Sequence, residues 1–257
     1  MKLARWAASG RIFEGRYEDG RLYATDGTSF DSDGVVWLPP SVPSKVIGIA
    51  LNFRDHAAEL KLAEPELPAI FLKPQSSLIG HKGTVLVPPW SQYTHYEVEL
   101  VAIIGRQCRN VTAARALEFV AGYTIGNDVT VRDYIGNYFR PPLIGKGWDT
   151  FGPVGPWMVT PDEAPDPHSA ELRTFVNGEL RQQGNTRDLI YSLSEMIEYC
   201  SMIMTLEPGD QIWTGTPKGI SHVYAGDTMR LEIEGIGALE NMIARGPETA
   251  YKLPVTS

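Results

Sequence analysis

The stretch His95–Gly105, HYEVELVAIIG, decides how the rest of the chain is read. Val98, Leu100, Val101, Ala102, Ile103 and Ile104 suit a buried strand, yet Glu97 and Glu99 stand among them. Side chains along a strand alternate between faces, so both carboxylates project from one face. Burying an unpaired carboxylate is costly, and two neighbouring ones repel. Either the start of this strand is solvated, or a positive group lies between the two acids. A divalent cation is the obvious candidate.

Working outward, FVAGYTIGND ends in Asp128 after an apolar run. A carboxylate at a strand end is well placed to face a pocket. Glu97, Glu99 and Asp128 together would suit a hard cation such as Mg²⁺, with water or substrate oxygens completing six positions. By spacing alone, alternating glutamates more often mark a solvated face. The five histidines show no HxH or HxxxH spacing and the two cysteines, Cys108 and Cys200, form no CxxC, which argues against zinc.

In ALNFRDHAAEL (Ala50–Leu60), a helix starting near Arg54 puts His56 and Glu59 on one face at i, i+3. A carboxylate beside an imidazole can orient it as a general base; the alternative is an ordinary surface pair. TGTPKG (Thr214–Gly219) lacks P-loop spacing. It is either a tight turn or a loop whose hydroxyls and N–H groups hold a carboxylate. Lys73, Arg132, Arg140 and Lys146 could each pair a substrate carboxylate or serve as structural charges.

The chain has 257 residues, 43% of them hydrophobic, enough for one large domain or one with a small companion. Its net charge of -8 argues against nucleic acid as the main partner. No apolar run approaches the roughly 20 residues of a membrane helix. With two cysteines and no apolar leader, a cytoplasmic setting is expected.

Frequent Gly and Pro punctuate short β runs. GRIFEGRYEDGRLYATDG (10–27) carries several hairpin signals, and LPPSVPSK (38–45) reads as a linker. KVIGIALN, QIWTG and TMRLEIEG read as strands. One helix is expected from Thr112 as N-cap over AARALEFV, and another after the capping box of Ser192 and Glu195. The expected fold class is α+β, mainly β, with a small N-terminal β module and linker (1–44) before a larger β-rich domain (45–257).

The order NFRDHAAEL, PAIFLKPQSSLIG, YEVELVAIIG, GYTIGNDVTVRDY, LEPGDQIWTGTPKG resembles the fumarylacetoacetate hydrolase superfamily over about residues 45–243. Within it, DPHSAELRTFVNGELRQQGNTRDLI and NYFRPPL resemble the isomerase/decarboxylase branch of homoprotocatechuate (4-hydroxyphenylacetate) catabolism. The resemblance implies a mixed β-sandwich or roll with a few helices. It makes Glu97, Glu99 and Asp128 metal ligands, with Mg²⁺ the usual ion and Mn²⁺ or Ca²⁺ as substitutes. It places His56 and Glu59 on a lid segment, Lys146 at an active-site lysine and Thr216 at the substrate's oxo-acid end. Lys73, Arg132 and Arg140 are then candidate substrate contacts.

The activity so implied is decarboxylation or isomerisation of an unsaturated 2-oxo or 2-hydroxy dicarboxylic acid. The alternatives are a C–C hydrolase of acylpyruvate or fumarylacetoacetate type, and a member whose metal is only structural. Since the branch commonly fuses two homologous halves, a homodimer or a heteromer with a homologous subunit is expected.

Overall fold

The computed structural model describes residues 1–135 and 142–249. Most of their regular structure is strand. The main sheet runs in the order Ser29–Asp31, Arg21–Ala24, Arg11–Glu18, Lys2–Ala8, Gly152–Val159, Val120–Asn127, Val98–Ile104, Gln211–Trp213, Val46–Ala50, Ala69–Lys73. A second sheet runs Glu179–Asn185, Glu171–Val176, Thr228–Ile233, Gly237–Arg245, Thr84–Val87. The large core draws Leu100, Ala102 and Ile125 from the first sheet and Leu172, Leu231 and Leu239 from the second.

Strand alternation explains the core. Val98, Leu100, Ala102 and Ile104 all point into it, so the odd-numbered residues take the other face. There Val101 joins Val46, Val154 and Trp213 in a small second cluster.

The N-terminal strands bury a cluster of their own, Trp6, Phe13, Leu22 and Trp37. Their sheet is continuous with the main one through Lys2↔Val159 and Leu3↔Met158. The 38–45 segment is pinned by Asp210, whose Oδ1 accepts from the N–H groups of Ser44 and Lys45.

Topology gathers the site at one end of the sheet. Val46–Ala50 runs parallel to Gln211–Trp213, so the helix after the first and the loop after the second leave at the same end. Val98–Ile104 is antiparallel to Gln211–Trp213 and begins at that end; Val120–Asn127 is antiparallel to Val98–Ile104 and finishes there. Glu97, Glu99 and Asp128 therefore meet beside the 54–59 helix and the 214–219 loop.

The helix Arg54–Glu59 forms where the spacing placed it. Leu193–Ile203 has the full capping box of Ser192 and Glu195. The expected helix after Thr112 differs: Ala113–Phe119 is 3₁₀, and Thr112 makes no side-chain cap. The N–H of Ala113 is taken instead by the Glu198 carboxylate, and Val120 is already the first residue of a central strand. Seven residues held between those anchors leave little length for α-helical propagation.

Candidate active site

All seven residues of Val98–Ile104 are buried, and so are Glu97, Glu99 and Asp128. One oxygen from each carboxylate lies within 4.8 Å of the other two. The pairing of Val98 with Asn127 sets this geometry, and the Asp128 N–H donates to the Glu97 carbonyl at 2.9 Å.

Two lysines approach Glu97 and Asp128. Lys146 Nζ donates to Glu97 Oε2 at 2.8 Å, to Asp128 Oδ2 at 2.5 Å and to Thr130 Oγ1 at 2.8 Å. Lys73 Nζ donates to Asp128 Oδ1 at 2.6 Å and to the Lys146 carbonyl at 2.5 Å. Two ammonium groups against three carboxylates leave one negative charge over when all are ionised.

Glu99 carries that imbalance. Its Oε2 accepts from the Gly215 N–H at 2.9 Å, but among the described residues no ammonium group is hydrogen-bonded to it. Burial first, then the charges of Asp128 and Glu97, push its acid pKa well above the usual range. Glu97 is opposite: burial works against its charge, but Lys146, His95 and His56 bring it down to about 2. Burial works against the charge of Lys146 too, yet Asp128 and Glu97 raise its pKa. At Lys73 burial outweighs Asp128 and lowers it.

The donor set fits a hard divalent ion. It offers carboxylate oxygens alone, buried and convergent, with a surplus of negative charge that a cation would neutralise.

A cavity of about 170 Å³ opens beside the trio and reaches two of its members, lined by His56, Glu97, Glu99, Arg132, Lys146 and Thr216 with apolar walls from Leu60, Leu62 and Phe71. It is smaller than the roughly 300–1,000 Å³ typical of drug-sized ligands, as suits a small acid. His56 Nδ1 lies 3.0 Å from Glu59 Oε2, which leaves Nε2 as its free ring nitrogen. Glu59 Oε1 accepts from the Gly219 N–H at 3.0 Å, tying the helix to the loop. Gly215 has φ +90°, and a Cβ there would come within 3.0 Å of the Asn52 Cβ. A side chain at that position would disturb the N–H that reaches Glu99.

Of the candidate residues, Glu97, Glu99, Asp128, His56, Lys146, Arg132 and Thr216 converge here, with Glu59 behind His56. Lys73 adjoins the trio from behind and is not among the cavity's lining residues. Arg140 lies outside the described residues.

Three polar residues belong to the site without having been singled out by sequence. Thr130 donates its hydroxyl to the Asp128 carbonyl at 2.8 Å and accepts from Lys146. His95 is fully buried with Nδ1 at 3.6 Å from Glu97 Oε1, and burial lowers its pKa to about 4. Gln182 arrives from the second sheet and bonds Thr216 Oγ1 at 3.0 Å; nothing local in ELRQQGN marks it.

Residues 45–244 match the family described as Fumarylacetoacetate (FAA) hydrolase C-terminal. The 4-hydroxyphenylacetate degradation bifunctional isomerase/decarboxylase of Salmonella dublin is 49% identical over 205 residues, 80% of this chain and 48% of the relative. The chain thus spans about half the length of that relative. Among solved structures, 5-carboxymethyl-2-hydroxymuconate delta-isomerase from Mycobacterium smegmatis is 40% identical with TM-score 0.85, covering 96% of this chain and 100% of its own. Maleylpyruvate hydrolase from Sphingobium sp. SYK-6, in complex with manganese(II) and pyruvate, is 30% identical with TM-score 0.82, covering 96% and 100%. The chain belongs to the fumarylacetoacetate hydrolase C-terminal family.

Proposed function

We propose that this chain is a Mg²⁺-dependent enzyme that decarboxylates or isomerises an unsaturated 2-oxo or 2-hydroxy dicarboxylic acid of 4-hydroxyphenylacetate catabolism. The observation that carries this is the buried trio of Glu97, Glu99 and Asp128, of which Glu97 and Glu99 line a cavity that also presents Arg132, Thr216 and His56. The choice of branch rests on the 49% identity to the isomerase/decarboxylase. A divalent ion held by the trio supplies Lewis acidity toward the oxygens of a 2-oxo acid.

The chain's own residues do the rest. Arg132 holds a carboxylate, and Thr216 meets the oxo-acid end. Leu60 and Leu62 help exclude water from the cavity. Decarboxylation breaks a C–C bond, releases CO₂ and leaves its electron pair conjugated with the ketone. Isomerisation removes a proton from one carbon and returns it at another. His56 Nε2, oriented from behind by Glu59, is the group that moves that proton.

The preformed His56–Glu59 pair also favours a second reading, C–C hydrolysis, in which the same imidazole activates water. His56→Ala separates the two. With the metal-loaded protein, a hydrolase loses roughly 10²- to 10⁴-fold on an acylpyruvate. A decarboxylase/isomerase keeps most CO₂ release while isomerisation, followed by dienoate absorbance, falls further. Cleavage of the acylpyruvate by the parent, without turnover of either dicarboxylic substrate, overturns the first reading.

A further inference from the structure

We infer that Gln182 is a positioning residue that fixes the Thr216 hydroxyl as a hydrogen-bond donor toward the substrate's carboxylate or oxo oxygen. The inference rests on the proposed function, because it takes Thr216 as the contact for an oxo acid.

The argument begins with the amide of Gln182, which is 1% exposed. Its Nε2 lies 2.8 Å from the Pro217 carbonyl, which can only accept. Its Oε1 lies 3.3 Å from the Val98 N–H, which can only donate. These two backbone groups fix which end of the amide is NH₂. The second Nε2 hydrogen therefore points to Thr216 Oγ1, 3.0 Å away. Thr216 must accept there, and its own hydrogen must leave in another direction.

No other protein partner of that hydroxyl is found among the described residues, and Thr216 lines the cavity above the carboxylate trio. A hydroxyl that already accepts from a buried amide is a better donor to an anion, because hydrogen bonds in a chain polarise one another. Thr174 Oγ1 completes the network at 3.0 Å from Gln182 Oε1. The same Oε1 holds the N–H of Val98, between Glu97 and Glu99. One side chain from the second sheet therefore sets both the strand that carries the acids and the polarity of the hydroxyl facing them.

Gln182→Glu reverses that polarity. A carboxylate can still accept from Val98 and Thr174, but its second oxygen would accept from Thr216, face the Pro217 carbonyl with no hydrogen to give it, and leave a Thr216 oxygen lone pair facing the ligand. The experiment measures binding of Mn²⁺, then of pyruvate to the Mn²⁺-loaded protein, by calorimetry for the parent, Gln182→Glu, Thr216→Val, Thr216→Ser and the double variant Gln182→Glu/Thr216→Val.

Gln182→Glu and Thr216→Val are each expected to weaken pyruvate roughly 10- to 100-fold, the worth of one hydrogen bond to a charged group. Thr216→Ser should keep the affinity, and Mn²⁺ binding should change severalfold at most. The double variant should be no weaker than either single one, since both remove the same bond. Additive losses, or a Gln182→Glu protein that binds pyruvate like the parent, overturn the inference while leaving the proposed function standing. A parent that binds Mn²⁺ but no pyruvate overturns both. Should Gln182→Glu fail to fold, Gln182→Met removes the donor at similar length; parent-like pyruvate binding by it is equally fatal.

Discussion

The N-terminal cluster and the carboxylate site are both buried, against opposite physical balances. Trp6, Phe13, Leu22 and Trp37 are buried because they are apolar, with the Trp6 and Phe13 rings stacked at 6.0 Å. Removing them from water stabilises the fold. Glu97, Glu99, Asp128, Lys73 and Lys146 are buried against their own hydration; Glu97 and Asp128 are tolerated through their ammonium partners, and Glu99 through a pKa raised toward its neutral form. A buried ion network is weak evidence for stability and, beside a cavity, stronger evidence for function. Aromatic burial thus explains how the sheet holds together, whereas charge burial explains what its far end is for.

The largest effects should look alike and differ in their remedy. Trp6→Ala is expected to lose about 3–5 kcal/mol by truncating a buried aromatic. Lys146→Met is expected to lose about 3–5 kcal/mol by leaving Glu97 and Asp128 short of a cation. Saturating Mn²⁺ should recover much of the second loss, since an ion that binds only the folded state stabilises it by mass action. It should add to Trp6→Ala no more than it adds to the parent. Urea titrations with and without Mn²⁺ read both. Recovery of both variants to the same degree would break the contrast between the regions.

Glu99→Gln sharpens the comparison from the other side. Burial and the two neighbouring acids already favour the protonated form of Glu99, and glutamine is its near-isostere. Metal-free stability should therefore hold or rise. Mn²⁺ affinity should fall more than the roughly 10–100-fold seen when mere outer partners of a ligand are removed. Calorimetry and thermal unfolding on one preparation check both parts. Parent-like Mn²⁺ binding would remove Glu99 from the ligand set.

Local signals reached different depths in the two regions. The hairpins of 10–27, the capping box at Ser192 and the shared face of Glu97 and Glu99 follow from contacts within a few residues, and these were legible. So was the 54–59 helix with its His56–Glu59 pair. Gln182 was not, because its roles depend on Val98 and Pro217, far along the chain and brought near only by the second sheet. Lys73 reads in IFLKPQ as either a substrate contact or a structural charge, and the structure turns it toward Asp128 as a buried ion pair. The 113–119 segment failed for the same reason, since a tertiary partner, Glu198, took the N–H that a local cap would have held.

The smallest expected effect lies where the N-terminal cluster meets the second sheet. His81 packs edge-on against Trp37 at 5.5 Å, and its Nδ1 accepts from the Glu240 N–H at 3.0 Å. That acceptor role requires an unprotonated Nδ1. Burial first, then Lys82 and Arg230, lower its pKa from 6.5 to about 4, with Asp33 opposing weakly. The folded protein therefore binds fewer protons than the unfolded chain between those two values, and stability must rise with pH across the window. Its contribution is whole above 6.5 and is lost as the pH falls through 4. His81→Gln can still accept from Glu240 but does not titrate. Urea midpoints at neutral pH and near pH 4 should show the parent losing more stability than the variant on acidification. The difference should be small, because one partly exposed imidazole carries it. His95, shifted in the same direction, is common to both proteins and cancels. Parallel pH curves would mean that folding does not feel the His81 proton.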